Sequence, residues 1–141
     1  MDEMYGKYYH TIDSKGRLFI PARLRDELGK SFRVTISTEK CLTAYSNESW
    51  GKILEKTKSM SMREQIRVRP LFANAAKCEP DAQGRILLPK PLRDHVGLEK
   101  NVTIIGAGVF VQIWDSDQYA PIEAIETTPE NLAEVFDELN F

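Results

Sequence analysis

Apolar and polar positions follow one scheme that is written twice along the chain. The run Arg17-Leu-Phe-Ile20 is short and mostly apolar, which predicts a brief strand. Pro21 follows, suited to the first position of a helix. Leu24 and Leu28 stand four apart, the spacing of a buried helical stripe, and Gly29 takes the place of a C-terminal cap. Segments 32–37 and 41–45 then read as strands. Arg85-Ile-Leu-Leu88, Pro89, Leu92 with Val96, Gly97 and the segments 102–105 and 109–114 repeat the scheme. Gly106-Ala-Gly108 is the expected hairpin turn between the last two.

Helical spacing closes each half. After Asn47, residues Trp50, Ile53 and Leu54 fall on one face. Ser61 and Glu64 form a capping-box pattern that opens a second helix, and Pro70 should end or kink it. Near the C-terminus Thr128 can cap, Pro129 fits the first helical position, and Leu132, Val135, Phe136 and Leu139 share a face. That stripe requires a surface to pack on, either the body of the protein or a neighbouring subunit.

The repetition extends to identity. Residues 13–29 and 81–97 agree at eight of 17 positions at an offset of 68, too many for a shared hydrophobic pattern alone. Val34-Thr35-Ile36 matches Val102-Thr103-Ile104 in the same register, and 45–50 resembles 114–119 after a one-residue slip. Two copies are too few for a solenoid, and halves of ~70 residues bury only marginal cores alone. The expectation is one structural domain over 1–141 with pseudo-twofold symmetry. It has a first repeat at 5–50, a helical connector at 51–71, a second repeat at 72–119 and an acidic helical tail at 120–141.

Charge changes this picture. The 141 residues carry a formal net charge of −2, but the last basic side chain is Lys100. Residues 101–141 hold eight acidic groups, so residues 1–100 are left with a net charge of +6. A mildly acidic chain therefore carries a basic body. At 42% hydrophobic and 28% charged, the chain is not disordered by composition. No apolar run approaches the ~18 residues of a membrane span, and no secretory signal pattern is visible. Cys41 and Cys78 lack metal-ligand spacing and read as reduced, buried thiols.

Enzyme signatures are absent: there is no Gly-x-Ser-x-Gly elbow, Walker loop or dinucleotide fingerprint. No catalytic residue, cofactor or metal is expected. Asp13 with Gly16, and Asp81 with Gly84, read as tight turns, in which Asp bonds backbone two residues on and Gly takes positive φ. Around the first turn lie Lys7, His10, Lys15, Arg17, Arg23 and Arg25, a turn tip, strand start and helix that can share one basic ledge. Arg suits phosphate clamping and bidentate contact with guanine. The second copy keeps Arg85 and Arg93 but replaces Lys15 by Gln83 and Arg23 by Pro91. Competing readings pair Arg17 and Arg85 with Asp13 and Asp81, and pair Arg25 and Arg93 with Asp26, Glu27 or Asp94.

The doubled motif Asp-Ser-Lys-Gly-Arg-Leu-Phe-Ile-Pro at 13–21 and Asp-Ala-Gln-Gly-Arg-Ile-Leu-Leu-Pro at 81–89 resembles the MraZ family of bacterial transcription regulators. The chain length, the 68-residue spacing and the Gln-Ile-Trp-Asp run at 112–115 resemble that family too. The resemblance implies a mainly β fold, a barrel of AbrB-like swapped-hairpin or double-psi type with peripheral helices. It implies chains assembled in rings that bind repeated promoter boxes on double-stranded DNA upstream of the division and cell-wall gene cluster. It also implies a cytoplasmic, nucleoid-associated protein with no membrane partner. Asp13 with Arg17 is the first copy of the family's Asp-x-x-x-Arg motif, and Asp81 with Arg85 the second. The alternative is a non-catalytic adaptor of the double-psi barrel class. A pyruvoyl-dependent decarboxylase, which resembles the same barrel class, needs a Gly-Ser bond that this sequence lacks. AbrB-like antitoxins carry one barrel half and a disordered tail, unlike this chain.

Overall fold

The computed structural model describes residues 2–141; Met1, where the expected domain begins, lies outside them. Eight strands and six helices follow in order: β1 Met4–Thr11, β2 Arg17–Phe19, α1 Ala22–Leu28, β3 Phe32–Ile36, β4 Leu42–Tyr45, α2 Asn47–Lys58, α3 Met62–Ala73, β5 Ala76–Cys78, β6 Arg85–Leu87, α4 Lys90–Val96, β7 Asn101–Gly108, β8 Val111–Asp115, α5 Ser116–Glu126 and α6 Pro129–Glu138. The protein is mainly sheet with helices around it. Six strands form one antiparallel sheet in the order β1-β7-β8-β4-β3-β5, and β2 pairs with β6 in a separate ladder. The six-stranded ladder runs from edge to edge without closing on itself.

The strand order reads the same from either end once the halves are exchanged. β1 of the first half pairs with β7 of the second, and β5 of the second pairs with β3 of the first. β4 meets β8, and β2 meets β6, across the pseudo-twofold axis. Neither half therefore holds a complete sheet. Leu18 lies opposite Ile86 at the centre of the β2–β6 ladder, and both are buried. Equivalent residues of the two repeats fill a single core: Ile20 and Leu88, Leu24 and Leu92, Leu28 and Val96, Val34 and Val102.

Local chemistry accounts for most boundaries. Ser61 accepts from the Glu64 amide while the Glu64 carboxylate accepts from the Ser61 amide, the reciprocal cap that opens α3. Thr128 caps α6 by accepting from the Asn131 amide. Three expectations are corrected. Pro21 and Pro89 are the N-cap residues of α1 and α4, one place earlier than expected. Of the two outcomes expected at Pro70, an end or a kink, the end is not met: α3 continues to Ala73, and the Asn74 side-chain amide donates to the Pro70 carbonyl. The β7–β8 turn lies beyond Gly106, with the Ala107 amide donating to the Phe110 carbonyl. Gly106 itself stays in the ladder between Gly6 and Val111, where a Cβ would fall 2.5 Å from the Tyr5 nitrogen. Strands β1 and β5 have no counterpart in the sequence pattern.

Helices α5 and α6 do not bury the C-terminal stripe against the sheet. Leu132, Val135, Phe136 and Leu139 remain exposed. Between α2 and α3 runs an open groove of about 700 Å³, lined by Leu54, Ile66, Val68 and Phe72 with Lys58 and Arg69. No helix among the described residues is long and apolar enough to cross a membrane.

Candidate nucleic-acid interface

Two loops, 13–17 and 81–85, present the repeated motif, and each is built around its aspartate. The Asp13 carboxylate accepts from the Lys15 and Arg17 amides at 3.0 and 2.9 Å through Oδ1, and from the Arg17 Nε at 2.6 Å through Oδ2. The Gly16 amide donates to the Asp13 carbonyl, and Gly16 turns the chain at φ +88°. Asp81 repeats the arrangement with Gln83 and Arg85, the Arg85 Nε standing at a looser 3.3 Å. The bonds from Arg17, its backbone amide foremost, hold the Asp13 carboxyl below the usual carboxylate range. Those from Arg85, again with the backbone amide foremost, do the same for Asp81.

The ion pair is thus real, but it orients rather than removes the arginine. Arg17 and Asp13 side chains stay 39% and 37% exposed, and an exposed pair of this kind adds little to stability. It engages the guanidinium through Nε, so both Nη groups lie beyond the Asp13 clamp.

Alternation in the β2–β6 ladder then sets direction. Leu18 and Ile86 point inward, so Arg17, Phe19, Arg85 and Leu87 share the outer face. Arg17 stands opposite Leu87, and Phe19 opposite Arg85. The two arginines therefore lie diagonally, with Cα atoms roughly 8 Å apart on a regular ladder. Leu87 is 62% exposed there. Phe19 and Leu87 are the members of this face that sequence reasoning missed, although a period of two around Leu18 and Ile86 puts them outward.

The remaining basic candidates divide. Lys15 is exposed at the loop tip and Arg23 is exposed on α1; among the described residues no carboxylate pairs with either. His10 stacks edge-on against Phe19 at 5.0 Å, and the Arg25 guanidinium lies over the same ring at 5.4 Å. Lys7 is set apart, since it projects from the opposite side of β1 and pairs with Glu123 of α5. Arg25 and Arg93 do not pair with the expected acids. Each donates its Nε to a carbonyl at the end of its own repeat's strand, Ile20 at 2.7 Å and Leu88 at 3.0 Å, while Asp94 pairs with Lys90.

The same two loops head the two segments picked out by comparison with known proteins. The family model for the MraZ protein, antitoxin-like by its description, matches residues 4–67 and again 71–138. The chain belongs to the MraZ family. It is similar to the transcriptional regulator MraZ of Heliobacterium modesticaldum, 48% identical over 118 residues that cover 82% of each chain. It is similar to that of Carboxydothermus hydrogenoformans at 47% over 115 residues, 79% of this chain and 80% of the relative. It also matches that of Caldanaerobacter subterraneus subsp. tengcongensis at 40% over 141 residues, 97% and 99% of the two chains. The first MraZ match takes in α2 and the start of α3, the helices expected as a connector.

Proposed function

We propose that this protein is a DNA-binding transcription regulator whose reading head is the outer face of the β2–β6 ladder with loop 13–17. The observation that carries this reading is the Asp13 clamp, which holds Arg17 by Nε and aims its remaining donors outward beside an exposed Lys15. A two-stranded ribbon fits the major groove of B-DNA, where Arg makes bidentate contact with guanine and an apolar side chain such as Leu87 meets a thymine methyl. Lys15, Arg17, Arg23 and Arg85 form the contact set, with His10, Arg25 and Arg93 at its margin and Lys7, across β1 and paired with Glu123, outside it. The ladder and the swapped edges β1 and β5 support a swapped-hairpin barrel of AbrB type, a single domain over 1–141 in which the fold itself is the DNA-binding unit. The role is non-catalytic and cytoplasmic, at the nucleoid.

The family resemblance directs this head to repeated promoter boxes upstream of the division and cell-wall gene cluster, bound by a homo-oligomeric ring. Exposure of the α6 stripe supports self-assembly, since contiguous apolar surface is normally covered. Single heads binding non-specifically at Kd ~10⁻⁴–10⁻⁶ M give little occupancy, whereas linked heads gain avidity of ~10²–10⁴ through effective concentration.

The test is a titration of the protein against a duplex carrying several copies of the repeats upstream of its own gene, beside a scrambled duplex, across a salt series. Preference for the repeats, a salt slope of about −0.9 per neutralised phosphate and loss of preference in Arg17→Ala are expected. Equal binding to both duplexes, unchanged in Arg17→Ala, would instead favour the adaptor reading.

A further inference from the structure

The atoms nearest to a Cβ built on Gly16 or on Gly84 belong to the other repeat. A Cβ on Gly16 would fall 2.8 Å from the Arg93 Nε and 3.0 Å from its Cζ. A Cβ on Gly84 would fall 2.8 Å from the Arg25 Cζ and 3.0 Å from its Nε. Each guanidinium therefore lies close against the turn of the other repeat. Hydrogen bonds complete the link. Arg93 donates to the Leu88 carbonyl, and the Leu88 amide donates to the Gly16 carbonyl at 2.8 Å. Reciprocally, Arg25 donates to the Ile20 carbonyl, and the Ile20 amide donates to the Gly84 carbonyl at 3.0 Å.

We propose that Arg93 is a positioning residue for loop 13–17 and that Arg25 is the positioning residue for loop 81–85, so that each repeat holds the other's reading loop in place. This explains a pattern in the sequence. The exposed positions diverge between the copies, Lys15 to Gln83 and Arg23 to Pro91, while Arg25 and Arg93 are kept. A residue that served only to touch DNA would have no reason to persist where the tip lysine is gone. The second repeat thus serves binding through Arg93, beneath Lys15 and Arg17. Nε and the flat guanidinium do the positioning, which the point charge of lysine does not reproduce.

The functional half of this inference rests on the DNA-binding reading, and the experiment separates the two. Amide hydrogen exchange by NMR is measured on the full chain and on Arg93→Ala, Arg93→Lys and Arg25→Ala, together with salt-dependent binding to the repeat-bearing duplex. Arg93→Ala should speed exchange at Lys15, Gly16 and Arg17 and leave Gln83, Gly84 and Arg85 protected; Arg25→Ala should do the reverse. Arg93→Lys should behave as Arg93→Ala. Duplex affinity should fall roughly tenfold in Arg93→Ala, the size of one charge-assisted hydrogen bond, with the salt slope unchanged. Lys15→Ala should lower that slope by about 0.9. Unaltered loop exchange in Arg93→Ala, uniform acceleration across the fold, or restoration by Arg93→Lys would overturn the inference. A lowered salt slope would do so too, since it marks a direct phosphate contact. If exchange changes as expected but Arg17→Ala leaves duplex binding intact, the positioning stands and the DNA-binding reading falls.

Discussion

Loops 13–17 and 81–85 share a skeleton and differ in what they show to solvent. Both close on an aspartate that takes two backbone amides and an arginine Nε. Both rest on a guanidinium from the opposite repeat. Outside, the first offers Lys15 and, on the adjoining helix, Arg23, where the second has Gln83 and Pro91. Groups that hold the turn are therefore common to both copies, and groups that project from it are not. Duplication kept the scaffold in duplicate and left the chemistry concentrated on one side.

The comparison breaks most forcefully at the residue both loops share. Leu18 packs against Ile86 on the axis, so Leu18→Ala should destabilise the fold by about 2–5 kcal/mol in urea denaturation and loosen the two loops equally. Loosening confined to one loop would show that the ladder does not couple them. Next in size is the pair Arg17→Ala and Arg85→Ala. Loss of a bidentate base contact costs roughly 10–100-fold in affinity, expected in full for Arg17, whereas Arg85, flanked by Gln83 and Pro91, should change affinity only about threefold. Equal losses in fluorescence-anisotropy titrations would mean that the copies read DNA alike. A gain of function follows in size: Gln83→Lys should steepen the salt slope by about 0.9, and an unchanged slope would place loop 81–85 away from phosphate.

The smallest expected effect is a shared one. Both aspartates have folded pKa values lowered by amide and arginine bonds. Each loop's stabilisation is therefore present above the ordinary carboxylate pKa of ~3.9 and is lost as pH falls through the lowered folded value. Protection of the Lys15, Arg17, Gln83 and Arg85 amides should persist down to the ordinary carboxylate pKa and disappear together only as pH falls further, through the lowered folded values. Separate transitions would show that the looser Arg85 contact at 3.3 Å makes the second skeleton weaker than the first.

How much of this was legible beforehand follows the range of the interactions. Turns, caps and the paired helices α1 and α4 are short-range, and residues such as Asp13, Ser61 and Thr128 announce them. β1 is not announced, because Tyr5, Lys7 and Tyr9 are exposed while the inward side carries one fully buried apolar residue, Met4, followed by Gly6, Tyr8 and His10. Gly106 reads as a turn residue, yet it is required because β1 crosses too close for any Cβ. The arginines beneath Gly16 and Gly84 carry no local signal of that contact either: the glycine each one meets lies in the other repeat, and no local pattern links them. The outward aim of Phe19 and Leu87 was within reach, needing only a strand phase set by Leu18 and Ile86. Cys41 and Cys78 were correctly expected to be buried, and burial pushes both thiols up to about 11.

The palindromic strand order also sets a timetable for biosynthesis. Met4 pairs with Gly108 and Thr11 with Asn101, so β1 leaves the ribosome roughly a hundred residues before its partner. At ~5–20 residues per second the nascent chain waits roughly 5–20 s with that edge open, and β3 waits as well for β5. Neighbouring chains on one polysome carry the same unpaired edges at the same time. An exchanged β1, donated by one nascent chain to the β7 of another, is therefore the characteristic misassembly of this architecture, and slow synthesis favours it.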